Sequence, residues 1–250
     1  MDKEDIIKKR VIDLCRTAYN RDIVTFTDFL DLNQQNIVAS TNMENRGITI
    51  RSWGGYDLAE RQITAFIPDA LSYQWTYPLT CLEISPVDRR FREMPGHRDF
   101  LGALLHLGIE RSVLGDLIVA EDTAYVYCLE RMAAFICDEL ITVKHSSVQV
   151  KDIGDFVAEE ALHFKEITGN VSSVRLDSLI SIAFASSRSQ IKDLIPAGKV
   201  FVNGKMVTSN GSTPKEGDII SVRGMGKFIY DGAISKTKKG RLLVKIKRYN

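Results

Sequence analysis

The N-terminal quarter of this 250-residue chain has the hydrophobic spacing of helices. Over residues 4–18, apolar side chains recur every three to four positions with charged residues between them, which predicts an amphipathic helix. A shorter helix is expected over 27–37. We therefore expect a helical head over residues 1–45 that packs against whatever follows it.

From residue 47 to residue 150, strand-like and helix-like patterns alternate. ITIRSW alternates as a strand does, and ITAFIP and TCLEISP are interpreted as two further strands. Gly54–Gly55 separates the first from a helical turn expected over 57–61. Further along we expect a helix over 97–107, strands over 116–120 and 124–129, and a helix over 130–140. This order predicts an α+β domain over 46–152 with ferredoxin-like or RRM-like architecture. Many unrelated functions use that architecture, so it does not by itself indicate one.

The last third of the sequence predicts two short helices packed on a small sheet. Ser173 is placed to cap a helix over 175–185, and Ser187 with Gln190 has the spacing of a capping box for a second helix, which Pro196 ends. A strand-like linker over 153–173 leads into this domain of residues 174–250.

Turn residues set the order of strands in the predicted C-terminal sheet. Asn203–Gly204 can supply the positive φ angles of a two-residue hairpin between strands over 199–202 and 205–207. PKEGD at 214–218 makes a second turn before a strand over 219–223, and TKKGR at 237–241 makes a basic hairpin before LLVKIKRY.

The charge of the chain separates by sign. Residues 171–250 hold 15 Lys and Arg against 5 Asp and Glu, a net charge of +10, whereas the whole chain has only +1. A basic domain on an acidic body indicates a polyanion partner, because Lys and Arg that neutralise phosphates release condensed counterions. From charge alone, the alternative is a basic face that is merely solvated.

Arg188 and Lys192 are the sharpest candidates for phosphate contacts. They are four residues apart, so they share the outer face of the second helix, close to its free N–H groups. We expect them to form a small preformed phosphate site.

RLDSLISIAFASSRSQIKDLIPAGKVFVNGKMV, followed by PKEGDIISV, resembles the S4 (αL-type) RNA-binding domain of ribosomal and tRNA-modifying proteins. FTDFLD at 26–31, GGY at 54–56, AER at 59–61, HRDFLGALLHLGIERSVLGD at 97–116, RGMGK and TKKGR extend the resemblance to YlmH-type S4 proteins over nearly the whole chain. These proteins are linked by gene neighbourhood to cell division, and by activity to stalled large ribosomal subunits that carry tRNA.

The resemblance implies binding of structured RNA, either rRNA or tRNA, on the large ribosomal subunit in translation or ribosome quality control. It implies ten RNA-contacting residues: Arg175, Ser187, Arg188, Ser189, Gln190, Lys192, Lys199, Asn203, Lys205 and Arg223. Asn203 could instead serve only its turn, and Arg175 could instead pair with a neighbouring acid.

We expect no catalytic residue, metal, cofactor or small-molecule substrate. Cys15, Cys81, Cys128 and Cys137 lack metal-ligand spacing, so buried free thiols are expected. The Arg175-Leu176-Asp177 triplet matches a pseudouridine synthase motif, yet it opens the S4 helix and no synthase-sized domain follows. His97 is expected as a helix-start residue.

The N-terminus lacks the apolar region of a secretory signal, and no apolar run is long enough to span a bilayer, so we expect a cytoplasmic protein. Two alternatives remain open. One is a protein-interaction adaptor linked to cell division. The other is an RNA-modifying enzyme, with a pocket around Gly54, Arg61 and His97.

Overall fold

The computed structural model describes residues 3–41, 47–71, 73–88, 95–120, 123–156, 164–237 and 240–249. The chain divides into two compact units, Met1–Leu162 and His163–Asn250. Mixed helix and sheet form both units, as the sequence predicts, with a helical region at the N-terminus and, in the second unit, the two helices expected for an S4 domain.

The head begins with the predicted amphipathic helix, α1 (Lys3–Arg21), followed by β1 (Thr25–Phe26) and α2 (Leu32–Ser40). The second helix was expected from residue 27, which is wrong. Residues 25–30 are extended because their backbone bonds to the neighbouring strand, including Thr27 N–H to the Thr64 carbonyl at 3.0 Å. The helix begins after Asp31, which forms a capping box with Gln34.

The next two strands, β2 (Ile48–Trp53) and β3 (Ile63–Pro68), occur where the sequence predicts strands. We expected both strands in the ferredoxin-like sheet, and that prediction is wrong. They form a three-stranded antiparallel sheet with β1, in the order β1-β3-β2. The predicted helical turn over 57–61 is also absent from the described backbone, which runs there through turns and bends.

The ferredoxin-like prediction is confirmed by the next elements: β4 (Leu79–Pro86), α3 (His97–His106), β5 (Leu114–Val119), β6 (Ala124–Leu129), α4 (Glu130–Glu139), β7 (Thr142–Val143) and β8 (Ser146–Gly154). The strand order is β5-β6-β4-β8-β7, with every pair antiparallel. Without the short β7, this is a split βαβ-βαβ arrangement. Phe100 and Leu104 of α3 and Ile136 of α4 are buried in its core.

The second unit contains β9 (Phe164–Val171), α5 (Leu176–Ala183), α6 (Arg188–Leu194), β10 (Val200–Val202), β11 (Lys205–Met206), β12 (Ile219–Val222), β13 (Gly226–Lys236) and β14 (Leu242–Tyr249). Its strands form one sheet in the order β11-β10-β12-β13-β14-β9. The segment expected as a linker therefore contributes a full strand, because β9 pairs with β14 along its entire length. Two residues of the predicted basic hairpin, Lys238 and Lys239, lie outside the described residues.

Local chemistry explains most boundaries in this unit. Asn203 and Gly204 have φ angles of +47° and +74°, as the two-residue hairpin requires. The predicted cap at Ser173 is wrong: the N-cap of α5 is Arg175, whose side chain makes no cap hydrogen bond and pairs with Asp177 instead. Leu179, Ile180 and other apolar residues of α5 pack with α6 and the sheet in one buried core.

Candidate RNA interface

The start of α6 is built as the sequence predicts. Ser187 is its N-cap, and its hydroxyl accepts a hydrogen bond from the Gln190 amide at 3.4 Å, which is one of the two bonds of a capping box. The Ser187 and Ser189 hydroxyls are 3.0 Å apart and hydrogen-bonded to each other. Both serines therefore fix the first turn of the helix and lie at its exposed surface.

Arg188 and Lys192 lie on the exposed side of α6, while Ile191 between them is fully buried. The helix thus anchors itself through Ile191 and projects two neighbouring cations into solvent. Neither cation is in an ion pair within the described part of the chain.

Arg175 lies at the start of α5 and forms an ion pair with the buried carboxylate of Asp177. Its Nε is 3.1 Å from Oδ1 of Asp177, whose side chain is 4% exposed, whereas the arginine is 44% exposed. Burial acts to raise the pKa of Asp177, but the hydrogen bonds and charge of Arg175, together with the Ser178 amide and the Arg188 charge, outweigh it and leave the pKa lowered. Arg175 therefore stabilises the first turn of α5 through Asp177, and the rest of its side chain is exposed to solvent.

Asn203 has a structural role in its hairpin. Its Nδ2 donates to Oδ1 of Asp218 at 2.9 Å, and its Oδ1 accepts from the Ile219 amide at 2.9 Å. The side chain thus joins the β10–β11 turn to the start of β12. Both atoms of the side-chain amide are engaged in these hydrogen bonds. The backbone of Asn203 also supplies the positive φ angle that the turn needs.

The remaining three predicted contacts do not share one surface. Lys205 is directly opposite Val202, which packs on the core with α5 and α6, so Lys205 projects from the helix side of the sheet. Arg223 instead lies over the ring of Phe201, with 4.9 Å between the guanidinium carbon and the ring centroid. Because Phe201 alternates with the core residue Val200, Arg223 is on the opposite face of the sheet. Lys199 is exposed and its carbonyl accepts from the Arg223 amide.

A buried polar cluster in the first unit was not predicted from the sequence. Asp116 accepts hydrogen bonds from the Tyr56 hydroxyl at 2.7 Å and from the Glu60 and Arg61 amides at 2.7 and 3.1 Å. Burial raises the pKa of Asp116, against the effect of these donors. The GGY and AER motifs thus form one loop closed around a carboxylate from β5.

Arg61, one of the residues of the enzyme alternative, is used within this cluster. Its guanidinium donates to the carbonyl oxygens of Leu114, Phe29 and Arg111 at 2.9, 2.9 and 3.2 Å. Burial lowers the pKa of Arg61. The shifted pKa values near Gly54 therefore belong to groups engaged in structural hydrogen bonds, while His97 is exposed at the start of α3.

The sheet face that carries Tyr125 and Tyr127 on β6 is covered within the same unit. Tyr56 stacks on Tyr127 with ring centroids 5.4 Å apart, and Phe156 stacks on Tyr125 at 5.1 Å. RNA-recognition motifs use aromatic side chains on the central strands of such a sheet to stack on bases. Here the corresponding rings contact other segments of the chain.

The cysteines are free thiols, of which Cys137 is only partly buried. Burial raises the pKa of the Cys81 thiol to about 12. Among the described residues, no group of three His, Cys, Asp or Glu side chains is arranged to hold a metal ion. In the same part of the chain, no helix is long and apolar enough to cross a membrane.

Comparison with known proteins bears on both units. The family model described as "Putative RNA-binding domain in YlmH" matches residues 74–155, and the S4 domain model matches residues 174–220. The chain thus matches one RNA-binding domain model in each unit. It is 29% identical over 227 residues to "Ribosome-associated protein quality control protein P2" of Bacillus subtilis (strain 168), covering 89% of this chain and 86% of that protein. The resemblance found in the sequence is confirmed: this is an RNA-binding S4-domain protein.

The YlmH likeness extends to the fold. "Cell division protein ylmH from Streptococcus pneumoniae" superposes with a TM-score of 0.52 at 17% identity, covering 64% of this chain and 95% of that one. The S4 domain also matches "Small ribosomal subunit protein uS4" of Thermoanaerobacter sp. (strain X514), with 41% identity over 70 residues. That match spans 26% of this chain and 34% of the ribosomal protein.

Proposed function

We propose that this YlmH-type protein binds structured RNA, rRNA or tRNA, through the helix side of its S4 domain, without catalysing a reaction. The expected location of that RNA is the large ribosomal subunit, in translation or ribosome quality control. A ribosome-bound role is consistent with the cytoplasmic location expected from the sequence.

The proposal rests on the exposed pair Arg188 and Lys192 on α6, whose opposite face is buried in the core through Ile191. The helix holds the two backbone positions four residues apart, so both cations project from the same side and can contact neighbouring phosphates together. Arg175 and Lys205 extend the basic surface on the same side of the domain.

Structured RNA suits this surface because an A-form helix hides its base edges in a deep, narrow groove. Proteins then recognise phosphates, 2′-hydroxyls and overall shape. A rigid basic surface built on two packed helices matches that requirement. The names of the relatives support a ribosomal setting, since one is a ribosome-associated quality control protein and another is a ribosomal protein.

The test is a double charge reversal, Arg188→Glu with Lys192→Glu, in the full chain. Binding to purified large ribosomal subunits and to tRNA is measured at several salt concentrations. Each lost phosphate contact should lower the slope of log affinity against log salt by about 1. We therefore expect weaker binding to both ligands and a slope reduced by about 2.

The matched control reverses two exposed cations of α1, Lys9→Glu with Arg16→Glu, which changes the net charge equally. If both double variants weaken binding to the same extent, the effect is one of net charge and the assignment to α6 fails. Pull-down of a protein partner that survives nuclease treatment, without RNA binding by the purified chain, would favour the adaptor alternative.

A further inference from the structure

A row of side chains crosses six strands on one face of the S4-domain sheet. Strand register places each directly opposite the next for Met206 and Phe201, Phe201 and Ser221, Ser221 and Lys227, and Tyr249 and Phe164. The remaining step is direct contact, because the Lys227 Nζ is 4.3 Å from the centroid of the Tyr249 ring. We call these six residues the cross-strand row.

The cross-strand row is on the face turned away from α5 and α6. Val200, Val222 and Phe228, which alternate with members of the row along β10, β12 and β13, are buried in the core with both helices. At the end of β14, Arg248 donates to the Ala183 carbonyl of α5 at 3.0 Å, and the next residue, Tyr249, belongs to the row. The row is therefore distinct from the surface of Arg188 and Lys192.

Aromatic rings and cations are interleaved along this row. The Arg223 guanidinium lies over Phe201 at 4.9 Å and the Lys227 ammonium lies over Tyr249 at 4.3 Å. Tyr249 meets Phe164 edge-on, with centroids 4.9 Å apart. Met206 at the open edge is 52% exposed, and the rings are partly exposed.

Acidic side chains on the same face are engaged further along the strands. Glu166 lies 2.7 Å from Lys245, and Asp231 lies 3.5 Å from Lys245 and 3.0 Å from Lys247. These ion pairs neutralise the middle of the face. The cations that lie over rings are at one end of it, in a unit of strong positive charge.

We propose that the cross-strand row binds an unpaired segment of RNA: the Arg223 and Lys227 side chains move from the rings to the phosphates, and bases stack on Phe201 and Tyr249 in their place. Every base has a π-face, so rings with neighbouring cations favour single-stranded RNA over a protein ligand. The inference rests on the proposed function for the identity of the ligand as RNA, but it assigns a second surface and a different RNA structure. The S4 domain then holds a structured region on its helix side and an unpaired region on its sheet side.

The test uses the full chain and a single-stranded oligouridylate of about 12 nucleotides that carries one 2-aminopurine, whose fluorescence falls when it stacks. Wild-type protein should quench the fluorescence on binding. Tyr249→Ala and Phe201→Ala should each weaken binding at least about fivefold and reduce the quenching, since one stacking partner is lost. Tyr249→Phe keeps the ring and should bind as the wild type does.

Met206→Glu provides a variant that leaves the fold intact, because this side chain is largely exposed. It places a negative charge in the cross-strand row and should weaken binding of the oligonucleotide while leaving binding of tRNA unchanged. Arg188→Glu with Lys192→Glu should weaken binding of tRNA while leaving binding of the oligonucleotide unchanged. The proposal for each surface can therefore be rejected independently of the other. Unchanged oligonucleotide binding in Tyr249→Ala and Met206→Glu, or no quenching by the wild-type chain, would overturn the proposal.

Discussion

Tyr56 donates its hydroxyl hydrogen to Oδ2 of Asp116 at 2.7 Å, across 60 residues of sequence. The same carboxylate accepts two backbone amides from the loop that leads back into β3. The loop and β5 are therefore joined by a buried group that only accepts hydrogen bonds. The most distinctive motifs outside the S4 domain thus have a structural explanation.

Asp116→Asn should destabilise the first unit by about 1–3 kcal/mol, because the new amide group turns a donor toward N–H and O–H donors. The two tryptophans, Trp53 and Trp75, are both in this unit, so chemical denaturation followed by tryptophan fluorescence reports it. Asp138→Asn, at an exposed position of α4, is the control and should change the free energy of unfolding little. Equal effects of the two variants would contradict the role given to Asp116.

Gly55→Ala should be among the most damaging single-methyl substitutions in the unit. Gly55 has a φ angle of +102°, and a Cβ there would collide with the Tyr127 ring. Backbone strain and overpacking together predict a loss of about 2–4 kcal/mol. Gly102→Ala is the matched control: it is in α3 with open space around it, so the same methyl should stabilise by up to about 1 kcal/mol. A neutral Gly55→Ala would show that the loop is not packed on Tyr127.

The pKa of Asp177 should be lower than that of an ordinary aspartate, and NMR titration of its carboxyl carbon measures it directly. Arg175→Ala removes the largest of the contributions that lower the pKa, its hydrogen bonds and its charge, while burial still acts to raise it, so the pKa should rise. Because the folded-state pKa is depressed, its stabilising contribution is present above the unfolded value and is lost as pH falls through the folded value.

Asn203→Gly tests whether Asn203 serves the turn or the RNA. Glycine keeps the positive φ angle but removes both side-chain hydrogen bonds, which should cost about 1–2 kcal/mol of stability. Asn203→Ala should cost about 1 kcal/mol more, since alanine is strained at this φ angle. Hydrogen exchange of the β10–β12 amides measures the effect. Weaker RNA binding by Asn203→Gly with unchanged exchange would instead make Asn203 an RNA contact.

Elements with strong local signals were predictable almost to the residue. β6 was expected over 124–129 and is Ala124–Leu129, because an apolar run with the β-prone residues Tyr125, Val126 and Tyr127 directly precedes a helix start. The Asn203–Gly204 hairpin followed from the φ angles that these two residues tolerate. The α6 surface was also predictable, because the spacing of Arg188 and Lys192 fixes their common side once Ile191 is buried.

Pairing between distant segments was not predictable from the local period. The patterns of β2 and β3 fit either sheet, whereas in the structure they pair with each other and β3 pairs with Thr25–Phe26, which lies far from both in sequence. The hydrogen-bond partners of Asp116 are 55 to 60 residues away, and no local pattern around Asp116 indicates them. The cross-strand row likewise brings together Phe164 and Tyr249, which no local pattern connects.

The S4 match begins at residue 174, but the sheet of that domain begins earlier, at Phe164. β9 covers the whole length of β14, from Tyr249 opposite Phe164 to Leu242 opposite Val171. A fragment of residues 174–250, which begins where the S4 match begins, would lack β9 and expose β14 as an edge strand, to whose unpaired N–H and C=O groups another chain could add. Self-association of such a fragment would then reflect a missing strand, because hydrogen bonding extends the folding unit beyond the region of sequence similarity.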